Sequence, residues 1–142
     1  MVYFRKPHGF QPQFEAVSCY LENSGKILLL QRQSHKTQAN KWGPPAGKIE
    51  KNETPLQAIK RELFEETGID LPLEAFKIVT KTFVVEEEYS FHWYMFKAAS
   101  GNRKVTLREN EHKDYDWATP RKALEYDLAL DEDACIKMVY KI

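Results

Sequence analysis

The stretch GKIEKNETPLQAIKRELFEETGI, residues 47–69, carries the densest local signal in the chain. Thr54 suits a helix N-cap, Pro55 the first helical position, and Gln57 completes a T-x-x-Q capping box. Gly68 stands where a left-handed helix stop belongs. The spacing predicts a helix over residues 55–67. At about 100° per residue, Leu56, Ile59, Leu63 and Thr67 share one side, which reads as the core face. Glu62, Glu65 and Glu66 share the neighbouring side, at i, i+3 and i, i+4 spacing. Like charges so placed destabilise an isolated helix. Arg61 can reach Glu65, but one cation cannot neutralise three carboxylates.

An acidic helix face is often just solvated. The loop before this one points elsewhere. Trp42-Gly43-Pro44-Pro45-Ala46-Gly47 holds two prolines and two glycines, which exclude regular structure and force a specific path. Such a loop sets backbone carbonyls beside the carboxylates. Hard oxygen ligands of this kind suit Mg²⁺ or Mn²⁺, which share their shell with water and substrate phosphates. The residues alone thus point to metal-assisted chemistry on a phosphorylated substrate.

Outward from this segment, residues 14–21 and 26–33 read as strands joined at Asn23-Ser24-Gly25, a hairpin. Residues 76–85 and 91–98 are rich in aromatic and β-branched residues and read as strands on either side of an acidic turn, Glu86-Glu87-Glu88, expected to be solvated. A short strand over 115–118 and helices over 120–126 and 131–140 complete the pattern. Strands and helices without strict βαβ alternation predict an α/β fold, a mixed sheet packed between helices. With 142 residues, no repeat and no linker-like tract, one domain over 1–142 is expected. Hydrophobic residues are 42% and charged residues 30%, a globular composition rather than a disordered one. Lys plus Arg and Asp plus Glu both number 21, which disfavours a stable nucleic-acid partner. No apolar run approaches the roughly 20 residues of a membrane span, and the first residues show no secretory pattern. Cys19 and Cys135 read as reduced packing residues, and a cytoplasmic location fits.

Residues 47–69 resemble the Nudix box, G-x5-E-x7-R-E-U-x-E-E-x-G-U, where U is a bulky aliphatic residue. Gly47, Glu53, Arg61, Glu62, Leu63, Glu65, Glu66, Gly68 and Ile69 fill every defined position. Ala39-Asn40-Lys41 and Pro45-Ala46-Gly47-Lys48-Ile49-Glu50 are similar to the MutT-type subgroup, with Pro-Ala-Gly where Pro-Gly-Gly is frequent. The resemblance implies an α/β/α sandwich and hydrolysis of a nucleoside diphosphate linked to a group X. It implies Glu62, Glu65 and Glu66 as metal-binding carboxylates for Mg²⁺ or Mn²⁺, with a backbone carbonyl of Ala46 or Gly47. Arg61 would orient the glutamates, and Glu53 would hold the loop to the helix or to Arg61. A water deprotonated by a box glutamate or a later carboxylate would attack one phosphorus.

Glu111, in a segment similar to the family's E-H-x-x-x-x-W, is the candidate for that later carboxylate, with Glu109 as competitor. His112 is expected at the surface or behind the ligands. Arg32 is the candidate phosphate contact. Trp42, Phe83, Tyr89, Phe91 and Trp93 are candidates for stacking a base, most of them expected in the core. The MutT-like flanks favour a (deoxy)nucleoside triphosphate, cleaved to monophosphate and pyrophosphate, as housekeeping or removal of damaged nucleotides. Dinucleoside polyphosphates or nucleotide sugars are the alternative substrates. A nucleotide-sensing domain without catalysis is the alternative of another class, disfavoured by a complete box. The partner is a small nucleotide, and the sequence leaves a homodimer open.

Overall fold

The computed structural model describes residues 1–142. Strands β1 (Val2–Tyr3), β2 (Phe14–Asn23), β3 (Lys26–Arg32), β4 (Trp42–Gly43) and β5 (Ala46–Lys48) precede helix α1 (Pro55–Thr67). Strands β6 (Lys77–Val85), β7 (Ser90–Ala99) and β8 (His112–Ala118), then helices α2 (Pro120–Ala123) and α3 (Glu132–Tyr140), follow it. All belong to one mixed sheet with helices on both faces, the α/β/α arrangement expected.

The hairpin turn forms at Ser24-Gly25, with φ of 52° and 77°, the left-handed pair that matches strand twist in a two-residue turn. Beyond it, β2 and β3 pair only at Glu22↔Ile27 and Asn23↔Lys26. Then they part. The free edge of β2 is taken by β5, and that of β3 by β4, while β7 runs parallel along the other side of β2 and β8 antiparallel along β3. The sheet is therefore split, and Pro44-Pro45 bridges the split between β4 and β5. Here the structure corrects the sequence reading. The proline-rich loop contributes two short strands, because its prolines sit between them and the carbonyl of Pro45 accepts from Cys19 N at 3.0 Å.

Strand alternation divides the core. Leu28, Leu30 and Phe96 pack with Ile59 and Leu63 under α1. Tyr20, Leu29 and Met95 pack with Ile136 and Val139 under α3. Residues 27–30 are fully apolar because both faces of β3 are covered. Each such Leu or Ile stabilises the fold by about 1.5–3 kcal/mol.

Helix α1 ends where expected. Thr54 Oγ1 accepts from Gln57 N at 3.1 Å, Gln57 Oε1 accepts from Thr54 N at 2.8 Å, and Gly68 has φ of 73°. Its buried face differs from the sequence reading. Leu56 remains 37% exposed, and Ala58, Ile59, Leu63, Glu66 and Thr67 are buried. Glu66 falls about 20° from Ile59 around the helix, so it stands in the middle of the apolar stripe. Helix α2 stops at Ala123, short of the expected Tyr126, and the two-residue β1, added to β6 at Val2↔Val84, had no sequence signal. No helix is long and apolar enough to cross a membrane.

Candidate active site

The split in the sheet opens as a cleft of about 270 Å³. Ala46, Gly47, Glu66, His112 and Arg32 line it together with Phe14, Tyr89, Phe91, Trp93, Asp131 and Glu132; along β2, Ala46 sits beside Ser18 at one end and Phe91 beside Phe14 at the other.

At the first end Arg61 is the organising cation. Its Nε and Nη2 donate to the two oxygens of Glu53 at 2.7 and 2.9 Å, a bidentate pair. Nη2 also donates to the carbonyl of Lys48 at 3.1 Å, and Nη1 donates to Glu62 at 2.7 Å and Glu65 at 3.4 Å. Glu53 in turn accepts from Glu50 N at 2.9 Å. Arg61 and Glu53 thereby fasten the loop to the helix, and Arg61 holds the Glu53 carboxyl below its usual range. Burial raises the Glu62 carboxyl against the pull of Arg61.

Gly47 packs on Glu62 so closely that a methyl group there would overlap the carboxylate. Its φ is not in the left-handed region, so space rather than backbone freedom demands glycine. Glu66 is only 6% exposed. Its Oε1 accepts from Ala46 N at 3.4 Å, and its Oε2 is buried without a hydrogen-bond partner. Burial, and then the Glu62 and Glu111 charges, push its carboxyl well above the ordinary value. His112 Nδ1 lies 3.8 Å from Oε2. It is no counter-ion at neutral pH, since burial and then Arg32 lower its pKa to about 4. Of the two positions expected for His112, at the surface or behind the carboxylates, the structure shows the second: β8 places it inside, against Glu66. An orphaned buried carboxylate oxygen, a second carboxylate seated in a glycine cradle and a nearby loop backbone are donors of the kind a hard divalent cation takes. The residues present fit such an ion through Glu62, Glu66 and the Ala46–Gly47 backbone, with Glu65 on the outer side and 36% exposed.

Glu111 enters β8 beside this group and pairs with Lys36 at 3.3 Å. Its carbonyl accepts from Gln33 N at 3.0 Å, which pins the loop to the end of β3. Glu109 is exposed and is held to Gln33 Nε2 by its backbone carbonyl at 2.6 Å. Arg32 lines the cleft, with Nε donating to Thr37 O at 2.7 Å.

The five aromatic candidates separate. Tyr89, Phe91 and Trp93 line the cleft, whereas Phe83 packs on Phe10 and His92 behind the sheet, and Trp42 packs on Tyr126. Phe14, which sequence reasoning passed over, stacks on Phe91 at 4.7 Å with Lys48 over its ring at 4.4 Å. Glu132 was also missed. It is 2% exposed, accepts a hydrogen bond from Tyr20 Oη, and burial raises its pKa to about 8. Its carboxyl is therefore mostly neutral at pH 7. The sequence offered no sign of this, because Glu132 sits in an ordinary helix start.

A family model described as NUDIX domain matches residues 12–138. The CTP pyrophosphohydrolase of Escherichia coli (strain K12) is 35% identical over 115 residues, covering 81% of this chain and 82% of that protein. The nucleoside triphosphatase NudI of Escherichia coli O139:H28 is 30% identical over 118 residues, covering 76% and 83%. The crystal structure of a MutT protein from Methanosarcina mazei Go1 superposes with a TM-score of 0.81 at 25% identity, covering 92% of this chain and 95% of that one. Enzymes of the family generally depend on a divalent metal. The complete box on a capped helix, set against a split mixed sheet and matched over most of the length, assigns the chain to the Nudix family as a hydrolase.

Proposed function

We propose that the chain hydrolyses a pyrophosphate bond of (deoxy)nucleoside triphosphates, giving the monophosphate and pyrophosphate, with Mg²⁺ or Mn²⁺ held by Glu62, Glu65, Glu66 and a carbonyl of Ala46 or Gly47. The observation that carries this reading is the unpartnered, buried Oε2 of Glu66 at one end of an aromatic-lined cleft. The two relatives named as nucleoside triphosphate hydrolases support it.

The bound ion would offset charge on the phosphates and favour ionisation of the attacking water. The chain's own residues do the rest. Arg61 orients Glu62 and Glu65, and Glu53 orients Arg61. Glu111, or a box glutamate, takes the proton of the water, and the pairing with Lys36 at 3.3 Å holds the Glu111 side chain in place. Arg32 binds phosphate from the β3 side. Phe14, Phe91 and Trp93 offer ring faces to a base. Glu132, neutral at pH 7, can donate as well as accept, which suits the N–C–NH2 edge of cytosine or adenine. The substrate is a free nucleotide, and a single domain handling it in a reducing cytoplasm accords with the two unpaired cysteines.

A hydrolysis screen over nucleoside triphosphates, dinucleoside polyphosphates and nucleotide sugars, with Mg²⁺ or with excess chelator and with products weighed by mass spectrometry, tests the reading. Turnover of triphosphates to monophosphate and pyrophosphate, abolished by chelator, is the expected result. Full turnover in chelator removes the metal role. A nucleotide sugar or dinucleoside polyphosphate preferred at least tenfold, a gap of about 1.4 kcal/mol, removes the substrate assignment.

A further inference from the structure

Helix α3 begins without the usual means of fixing its own start. Asp131 stands at the N-cap with φ of 65° and makes no side-chain cap bond. A capped helix sets its entry locally, through a bond from the N-cap side chain to the first turn. Here the entry has to be held by another part of the chain. Glu132, the first residue of α3, owes its place in the cleft wall to that entry.

The hold comes from the loop over residues 33–41, between β3 and β4. Gln38 Oε1 accepts from Leu130 N at 2.6 Å, a bond between residues 92 positions apart that ends one residue before Asp131. Gln38 has φ of 51°, a left-handed state uncommon for a residue with a side chain. Both Gln38 and Leu130 line the cleft. One residue earlier, the carbonyl and hydroxyl of Thr37 accept from Arg32 at 2.7 and 3.3 Å. Adjacent residues of one loop thus hold the arginine of β3 and the start of α3. The segment before Leu130 has bonds of its own. Trp42 N donates to the Asp127 carbonyl at 2.9 Å, Ala129 N to the Trp42 carbonyl at 2.8 Å, and Lys41 Nζ to Asp127 Oδ1 at 2.7 Å. Loss of the Gln38 side chain therefore leaves residues 127–129 attached and releases only the stretch from Leu130 to Glu132.

We infer that Gln38 is a positioning residue: its bond to Leu130 N at the rim of the cleft sets Glu132 against the base of the substrate, while the adjoining Thr37 sets Arg32 against a phosphate. The inference rests on the nucleotide-hydrolase reading of the same cleft. Gln38→Ala removes the bond, and Gln38→Glu keeps an acceptor oxygen at the same reach. Wild type and both variants are compared by amide hydrogen exchange at Leu130, by NMR titration of the Glu132 carboxyl carbon, and by kcat and KM for ribonucleoside triphosphates with Mg²⁺.

In Gln38→Ala, exchange at Leu130 should quicken at least about tenfold. The Glu132 carboxyl, raised by burial to about 8 in the wild type, should titrate lower as water reaches it. KM should rise at least about fivefold with kcat within about twofold of wild type, because Glu62, Glu65 and Glu66 are untouched. Gln38→Glu should keep Leu130 protected and bring KM back to within about twofold of wild type. Unchanged exchange and titration in Gln38→Ala, a fall in kcat with KM unmoved, or a Gln38→Glu as impaired as Gln38→Ala overturns the inference. A wild type that cleaves no triphosphate, in which Gln38→Ala still frees Leu130 and lowers the Glu132 titration, removes the activity and leaves the positioning. A wild type whose KM Gln38→Ala matches removes the positioning and leaves the activity.

Discussion

Glu66 on α1 and Glu132 on α3 are both buried acids facing one cleft, from opposite sides of the sheet, and they have opposite surroundings. Glu132 accepts from the Tyr20 hydroxyl and keeps its own proton. Glu66 has one long contact with Ala46 N, an empty-handed second oxygen, and the carboxylates of Glu62 and Glu111 nearby. A lone buried acid resolves its desolvation cost by staying neutral. Burial raises the Glu66 carboxyl too, but Glu66 shares its site with Glu62 and Glu111 and has one oxygen without a hydrogen-bond partner, an arrangement that a bound cation would satisfy. Burial is common to both acids; the unpartnered oxygen beside other carboxylates is what distinguishes Glu66.

Exchange of the two acids for their amides breaks this comparison most sharply. Glu66→Gln should lower kcat at least about 100-fold, the lower range for loss of a group acting directly at the reaction, and should abolish the rise in Tm expected of the wild type when Mg²⁺ is added. Glu132→Gln should leave the Mg²⁺-dependent rise in place. Steady-state kinetics and thermal melts with and without Mg²⁺ measure both. Near-full turnover in Glu66→Gln would make its burial a structural accident.

The next test disturbs the Glu66 side without removing a charge. Gly47→Ala puts a methyl group into the Glu62 carboxylate. Glu62 must swing away or the β5 backbone must retreat, at a cost of about 1–3 kcal/mol. A fall in kcat of at least about tenfold is expected, with a Tm lowered by several degrees. No equivalent sensitivity is expected at Gly43, where an added Cβ meets only Ala129 at 3.9 Å.

The Glu132 side is sharpened by pH. The folded pKa of about 8 lies above the unfolded value of 4.5. Between these values the native state holds a proton that the unfolded chain has released, so stability falls as pH rises from about 4.5 through about 8. At about 1.4 kcal/mol per pH unit, the loss by pH 7 is on the order of 3 kcal/mol. Urea unfolding of wild type and Glu132→Gln across pH 5–8 isolates this contribution, and the amide should show the shallower decline. Parallel profiles would mean that Glu132 is ionised in the native state.

How far each acid could be foreseen follows from where its partners lie. The helix that carries Glu66 is defined within residues 47–69, where cap, stop and glutamate spacing are all local, and the angular position of Glu66 near Ile59 already places it in the apolar stripe, although Glu111 and His112 reach it from far along the chain. The hairpin at Ser24-Gly25 and the strands over 77–85 and 90–99 were legible for the same reason, since turn chemistry and β-branched runs are short-range signals. Glu132 meets Tyr20, 112 residues away, and no local pattern announces such a pairing. Phe14 joins the cleft only because β2 runs parallel to β7 in the register Phe14↔Phe91. The split between β2 and β3, which creates the cleft, depends on which later strands claim their edges, and a strand's own residues do not state that.

Arg32 offers the smallest and finest test, because it belongs to neither acid and lines the same cleft. Its guanidinium donates to the Thr37 carbonyl and hydroxyl at 2.7 and 3.3 Å while facing the cleft. The loop over residues 34–41 therefore depends on Arg32 for part of its shape, and two effects of Arg32→Ala must be told apart. A phosphate contact held equally in ground and transition states raises KM and leaves kcat nearly unchanged. A collapsed loop also moves Lys36, the partner of Glu111 at 3.3 Å, and then kcat falls as well. The geometry favours the first outcome, since Arg32 N donates to the Lys41 carbonyl at 2.9 Å and Asn40 N donates to the Arg32 carbonyl at 3.1 Å, backbone bonds the substitution keeps. Arg32→Ala should thus raise KM for a nucleoside triphosphate about three- to tenfold, with kcat within about twofold of wild type. Loss of the arginine also removes a positive neighbour that lowers the His112 pKa, so that pKa should rise in Arg32→Ala, as a histidine NMR titration would record. A drop confined to kcat, with KM unmoved, would transfer Arg32 from binding the phosphate to supporting the residues that act on it.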